Sequence, residues 1–150
     1  MKRKWFLAIV LTGLLLSFTS TQLSAKDYNY MKPEDLKSKL DYDEAVNILD
    51  IQVQEEFSKH HIKKALSTCA YPVKSMEEQA KLDKAIDHFK GSDAPIVIVC
   101  PRGAGGAERT YDYLKEKGIA EDRIFILEKG QAGWPYEDSV ESKNNLSSLK

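Results

Sequence analysis

Cysteine is scarce in this 150-residue chain, with only Cys69 and Cys100 present. Two cysteines leave room for at most one intramolecular disulfide. They also supply no cysteine cluster for a metal. The adjacent histidines His60 and His61 make a poor metal motif, because neighbouring side chains diverge and no carboxylate cluster supports them. Charge of one sign is also missing: 22 basic residues stand against 23 acidic ones. No basic cluster interrupts the body of the chain, which argues against nucleic acid and anionic membrane surfaces as partners. Long apolar runs are absent with one exception, Trp5 to Phe18, which falls short of the roughly 20 residues a membrane span needs. No internal repeat and no second domain can be discerned.

What is present begins with that one apolar run. Lys2, Arg3 and Lys4 precede it, and Leu23-Ser24-Ala25 follows with a small residue for cleavage. Together these read as a secretory signal peptide, residues 1–25, cut near Ala25, with a periplasmic or secreted product and no stable membrane anchor. Cleavage removes three of the 22 basic residues and none of the 23 acidic ones, so the net charge becomes −4. The remainder divides into a folded domain over residues 26–136 and a polar, fraying tail over 137–150.

Within the domain, apolar strands alternate with helical spacings. Lys26 to Asn29 reads as a flexible leader and Met31 to Leu40 as a short helix with Pro33 in its first turn. Ala45 to Ile51 reads as a strand, Gln54 to Lys59 as a short polar helix, and Ala65 to Ala70 as a second strand. Ser75 and Glu78 have capping-box spacing at the start of the longest helix. Its Leu82, Ala85, Ile86 and Phe89 fall on one face, and Gly91 stops it. A strand over Ile96–Val99, a helix from Ala107 to Lys117 and a strand over Ile124–Leu127 complete the set. Short β-branched strands alternating with helices predict an α/β fold, a short parallel sheet with helices on both faces.

The stretch from Pro95 to Tyr111 carries the chemistry. A buried strand ends on Cys100, a loop with Gly103, Gly105 and Gly106 follows, and a helix begins. Helix N-termini carry free N–H groups and partial positive charge, which favour a thiolate. Pro101 has no N–H to give, so the anion cradle is expected from Arg102, Gly103, Ala104, Gly105 and Gly106, with Arg102 as the cation that attracts an anionic substrate. Arg109 reads as a surface residue. Cys69 reads either as a small buried hydrophobe or as a resolving cysteine for Cys100. Trp134 reads as core packing, with Glu128 to Gly133 as a rim of the site.

Three separated segments resemble one family, the rhodanese-like sulfurtransferases. Ile48-Leu49-Asp50-Ile51 with Glu56-Phe57, His61-Ile62 and Ala65 is similar to its strand-Asp, Glu-Phe and Gly-His-Ile-x-Gly-Ala elements. Ile96 to Cys100 resembles its catalytic strand and nucleophile, and Leu114, Gly118, Gly130, Gly133 and Trp134 its closing elements. The match spans about residues 31–136. The resemblance implies a rhodanese-like fold and a thiosulfate sulfurtransferase-type enzyme in which Cys100 carries sulfane sulfur as a persulfide. It implies no cofactor and no metal. Its partners would be a small donor such as thiosulfate and an acceptor such as cyanide or a thiol. Asp50 and His61 resemble landmarks of that pattern, but their own chemistry reads as structural, capping a neighbouring turn and bonding backbone.

The chain departs from that pattern at four places. Gln52 stands where the family usually has arginine, and His60 where it has glycine. Gly105 takes the place of a loop arginine, and Gly118, 18 positions after Cys100, implies a loop one residue longer than is common. Related phosphatases and arsenate reductases need arginine six positions after the cysteine; Gly106 stands there, which disfavours phosphatase chemistry. Two other readings remain open at this level. One is a periplasmic thiol–disulfide redox module using Cys69 and Cys100; the other is a non-catalytic sulfide or anion carrier.

Overall fold

A computed structural model describes residues 26–141; the expected signal peptide and residues 142–150 of the expected tail lie outside the described residues. In chain order the elements are β1 (Tyr30–Met31), α1 (Pro33–Asp41), β2 (Asn47–Asp50), α2 (Gln54–Lys59), β3 (His61–Ile62), β4 (Ala65–Ser67), α3 (Met76–Ala80), α4 (Asp83–Lys90), β5 (Ile96–Val99), α5 (Gly105–Glu116), β6 (Ile124–Leu127) and β7 (Val140–Glu141). Five strands form one sheet in the order β1-β6-β5-β2-β4, and every pair in it is parallel. A small antiparallel pair, β3 with β7, sits apart from it.

Parallel strands must be covered on both faces, and the core divides accordingly. On one face Leu49, Ile96, Ile98, Ile124 and Ile126 pack with Ala85, Ile86 and Phe89 of α4 and with Ala107, Tyr111 and Leu114 of α5. On the other, Ile48, Val97, Val99 and Leu127 pack with Leu36 of α1, Ile62, Trp134 and Val140. Alternation along each strand sends successive residues to opposite faces, which is why β5 is buried at every position. The α/β class and the helices on both faces are therefore as expected.

Several elements differ from the sequence expectation. The long helix from Ser75 is two helices. The capping box of Ser75 and Glu78 forms as expected, yet α3 buries none of its residues. After it, Lys81 and Leu82 donate to carbonyls three residues back, at 3.2 and 2.9 Å, tightening the turn. The chain re-aims there so that Leu82, Ala85, Ile86 and Phe89 face the sheet. The leader is not free: Lys26 pairs with Asp112 at 2.6 Å, Tyr28 packs edge-on against Tyr111, and Asn29 donates to the Tyr111 hydroxyl. Residues 30–31, too short for any period, add strand β1 beside β6. Residues 137–141, expected to fray, close the domain, because Val140 and Glu141 pair with Ile62 and His61.

Strand order places the site. From β2 the chain crosses to β4 on one side, then returns to β5 on the other, so the connections diverge between β2 and β5. Such switch points leave a crevice at the C-terminal ends of the strands. Gln52 follows β2 there and Cys100 follows β5.

Candidate active site at the end of β5

Cys100 is 2% exposed, and its Sγ accepts a hydrogen bond from the Gly103 N–H at 3.0 Å. The peptides around it are fixed from the far side. The Gln131 N–H donates to the Cys100 carbonyl at 2.8 Å, and the Ala132 N–H to the Pro101 carbonyl at 3.0 Å. Gly103 and Gly130 both hold positive φ, 66° and 57°, and their backbones touch. A Cβ on Gly130 would lie 2.1 Å from the Cys100 carbonyl oxygen, and one on Gly103 would lie 2.7 Å from the Leu127 carbonyl. Only glycine permits both the conformation and the approach.

Helix α5 starts at Gly105, two residues before the expected start, so the free loop is Pro101 to Ala104. Gly105 and Gly106 belong to the first helical turn, where N–H groups have no partner four residues back. Of the expected cradle, Gly103 reaches the Cys100 sulfur, Ala104 to Gly106 lead from the loop into α5, and Arg102 is exposed on the wall of the adjoining cleft. Gly106 is glycine for reasons of space, and Gly105 is less constrained. A Cβ on Gly106 would meet the Tyr71 ring at 2.9 Å, and one on Gly105 the Arg109 guanidinium at 3.0 Å. Arg109 is not a surface residue. It donates from Nε and Nη2 to the Pro72 carbonyl, at 3.0 and 2.8 Å, and pins the Tyr71–Pro72 segment against the start of α5.

A cleft of about 620 Å³ opens beside Pro101 and Arg102. Its other walls come from Gln52, Glu56, Lys59 and His60 on one side and Tyr71, Gln131 and Glu137 on others. Gln131 is buried, and its Nε2 lies 2.7 Å from His60 Nδ1. His60 Nε2 faces Glu137 at 3.6 Å. Gln52 reaches both ways: its backbone and side-chain nitrogens donate to Asp50, at 2.8 and 3.0 Å, and Nε2 also to the His60 carbonyl at 3.3 Å. Asp50 is fully buried, with no cation beside it among the described residues. Burial pushes its carboxyl up to about 6, against the pull of the two bonds from Gln52, and Glu56 adds to the rise. Tyr30 flanks the site from β1; burial, with Glu108 and Cys100 nearby, pushes its hydroxyl above the ordinary value.

His61 and Trp134 have structural roles. His61 stacks on Phe57 at 3.8 Å and bonds the Phe57 carbonyl, and Trp134 is buried with its Nε1 donating to the Tyr136 carbonyl. Of the Glu128–Gly133 rim expected from the sequence, Gln131 and Ala132 line the cleft. Among the cleft residues, Gln52, His60 and Tyr71, together with the charged Glu56, Lys59 and Glu137, escaped the sequence reading as site residues. Gln52 and His60 stood out as departures from the family pattern, which was the available signal. Cys69 and Cys100 are both free. They follow β4 and β5, which lie on opposite sides of β2. Two strand spacings come to about 10 Å, beyond the roughly 7 Å between Cα atoms that a disulfide spans. Cys69 instead contacts Ser67 and Gln54, each at 3.4 Å.

Comparison with known proteins agrees with this geometry. No curated protein matches the sequence. Among solved structures, a rhodanese-like domain protein from Staphylococcus aureus is 24% identical, with a TM-score of 0.55 over 77% of this chain and 98% of that one. A yeast protein tyrosine phosphatase of the rhodanese family is 14% identical, with a TM-score of 0.59 over 82% of this chain and 99% of that one. A thiosulfate sulfurtransferase from Pseudomonas aeruginosa is 16% identical, with a TM-score of 0.55 over 77% of this chain but 20% of that one. These likenesses establish the fold. The family model for the rhodanese-like domain matches residues 32–136, from the start of α1 to the far wall of the cleft, and the chain therefore belongs to the rhodanese-like family.

Proposed function

We propose that the protein is a sulfurtransferase that moves sulfane sulfur from thiosulfate or a similar donor to a thiophilic acceptor through a persulfide on Cys100. The observation that carries this reading is the Cys100 sulfur at the end of β5, held by the Gly103 N–H beside the open first turn of α5. The Cys100 thiolate attacks the outer sulfur of thiosulfate. A sulfur–sulfur bond forms to Cys100, the donor's sulfur–sulfur bond breaks, and sulfite leaves with the electron pair. The terminal persulfide sulfur carries negative charge, which backbone N–H groups stabilise in a site shielded from water. An acceptor such as cyanide or a thiol then attacks that sulfur, and Cys100 leaves as thiolate. Arg102 at the rim is the cation that draws in the donor. Export to the periplasm or beyond, after cleavage near Ala25, belongs to the same proposal.

Phosphatase chemistry fits this loop poorly. Gly106 has no room for the arginine that would bind a phosphoryl group, since Tyr71 occupies that space. The test is intact-protein mass spectrometry after incubation with thiosulfate. The expected result is the gain of one sulfur atom, lost on adding cyanide and never acquired by Cys100→Ser. No adduct on the wild type, or an adduct that persists in Cys100→Ser, refutes the proposal.

A further inference from the structure

The loop that holds Cys100 brings one exposed arginine to the cleft, and the helix that follows brings none, because Arg109 is committed to the Pro72 carbonyl. Lys59 also lines the cleft, but it pairs with Glu55 at 2.5 Å, and a doubly charged donor calls for more positive charge than Arg102 alone. His60 lies on the wall of the same cleft, with its side chain 37% exposed. One side chain links it to the nucleophile's own peptide: Gln131 donates its backbone N–H to the Cys100 carbonyl and places its amide 2.7 Å from His60 Nδ1. That amide is unusual. Gln131 is 6% exposed, and its Oε1 is buried with no hydrogen-bond partner among the described residues.

The pairing accommodates both states of the imidazole. A neutral ring accepts from the amide N–H at Nδ1 and carries its proton on Nε2. A protonated ring has N–H at both nitrogens, so only an oxygen can face Nδ1. A half-turn of the Gln131 amide presents Oε1, the atom now without a partner. Glu137, 3.6 Å from Nε2, then meets the second N–H of the cation.

We infer that His60 is a donor-binding residue of the cleft, and that a sulfane-sulfur dianion binds together with a proton on its imidazole. This inference rests on the sulfurtransferase reading and adds to it a specificity residue. The other charged groups around the ring are accounted for. Glu137 faces it from the turn before β7, Glu56 and Lys59 line the cleft from α2, and Arg102 lines it from the cysteine loop. Asp50 stands behind Gln52, whose Nε2 bonds both the Asp50 carboxyl and the His60 carbonyl. Glu141 faces His61 instead. Of these, histidine ordinarily changes charge between pH 5 and 8, and Asp50, at about 6, does so as well from its buried place behind Gln52; replacing His60 separates the two.

The experiment measures thiosulfate binding by calorimetry to the full chain carrying Cys100→Ser, which binds without turnover and without titration of the nucleophile. Binding at pH 6 should be roughly tenfold tighter than at pH 8, the scale of one added charge at a half-exposed site. Adding His60→Gln, which keeps a partner for Gln131, should weaken binding at pH 6 and remove most of the pH dependence, leaving only what the buried Asp50 contributes. Adding His60→Lys, charged throughout, should hold the affinity nearly constant across the range. Equal affinity at both pH values overturns the inference, as does a His60→Gln variant that keeps the full pH dependence. So does undetectable binding at pH 6 when the wild type still forms the persulfide. Failure of the wild type to gain sulfur overturns the sulfurtransferase reading itself, so the two failures are distinguishable.

Discussion

Replacing Asp50 with asparagine removes a charge from the interior while keeping the shape of the side chain. Asp50 is 0% exposed, and its polar support comes from Gln52, through a backbone and a side-chain N–H. A carboxyl that ordinarily titrates at 3.8 here titrates at about 6, burial being the larger cause. The folded protein therefore binds this proton more tightly than the unfolded chain does. Between the two values the folded state carries the extra proton, so stability falls as pH rises through that window. The loss is complete above pH 6 and amounts to about 3 kcal/mol, from about 1.4 kcal/mol per pH unit. An asparagine at this position has no such charge to lose. Its amide nitrogen must find an acceptor, which Gln52 supplies by turning its own amide, at the expense of the bond to the His60 carbonyl and about 1 kcal/mol. Asp50→Asn should therefore be about 2 kcal/mol more stable than the wild type at pH 8. The gain should disappear toward a pH of about 4.5. Urea unfolding at a series of pH values reads both quantities from the midpoints and slopes. A variant no more stable than the wild type at pH 8, or one whose stability gap does not change with pH, refutes the reasoning.

Gly130→Ala forces a Cβ into the Cys100 carbonyl at positive φ; it should cost about 2–4 kcal/mol in urea unfolding, and the displaced loop should slow persulfide formation on the order of 100-fold. Gly105→Ala meets only the flexible end of Arg109 and should stay within about 1 kcal/mol of the wild type, so the two alanines separate tightness of backbone from tightness of side chain. Arg109→Ala frees the Pro72 carbonyl and should cost about 2 kcal/mol, with faster amide exchange around Tyr71. Cys69→Ser should leave sulfur transfer unchanged, and the wild type should show no intramolecular disulfide on non-reducing peptide mapping.

Local signals made the fold readable where one element carried its own pattern. The four apolar residues of β5, the capping box at Ser75 and the face of α4 starting at Leu82 each follow from a few adjacent residues. The break between α3 and α4 was not legible, since the residues at Lys81 and Leu82 are ordinary helix formers and the turn answers to the sheet beneath. Strand β1 and the pairing of β7 with β3 were hidden for the same reason: two residues make no period, and their partners lie far along the chain. The site divides in the same way. Cys100 and its glycines are contiguous and announced themselves. Gln52, His60 and Tyr71 converge there only because β5, β2 and β4 lie in that order across the sheet, and polar residues one to a loop leave no pattern. Arg109 was misread because its partner, the Pro72 carbonyl, lies 37 residues earlier.

The touching backbones of Gly103 and Gly130 have a consequence in time. The cysteine loop is held in shape by residues about 30 positions downstream, which reach it only when β6 has docked beside β5. Until then nothing holds Gly103 in its left-handed turn or anchors the Cys100 carbonyl. A chain whose synthesis or folding stops short of that docking carries an ordinary cysteine at position 100. The proposed nucleophile is thus assembled only once the sheet is closed, and a partly folded protein lacks the cradle that the sulfurtransferase proposal requires.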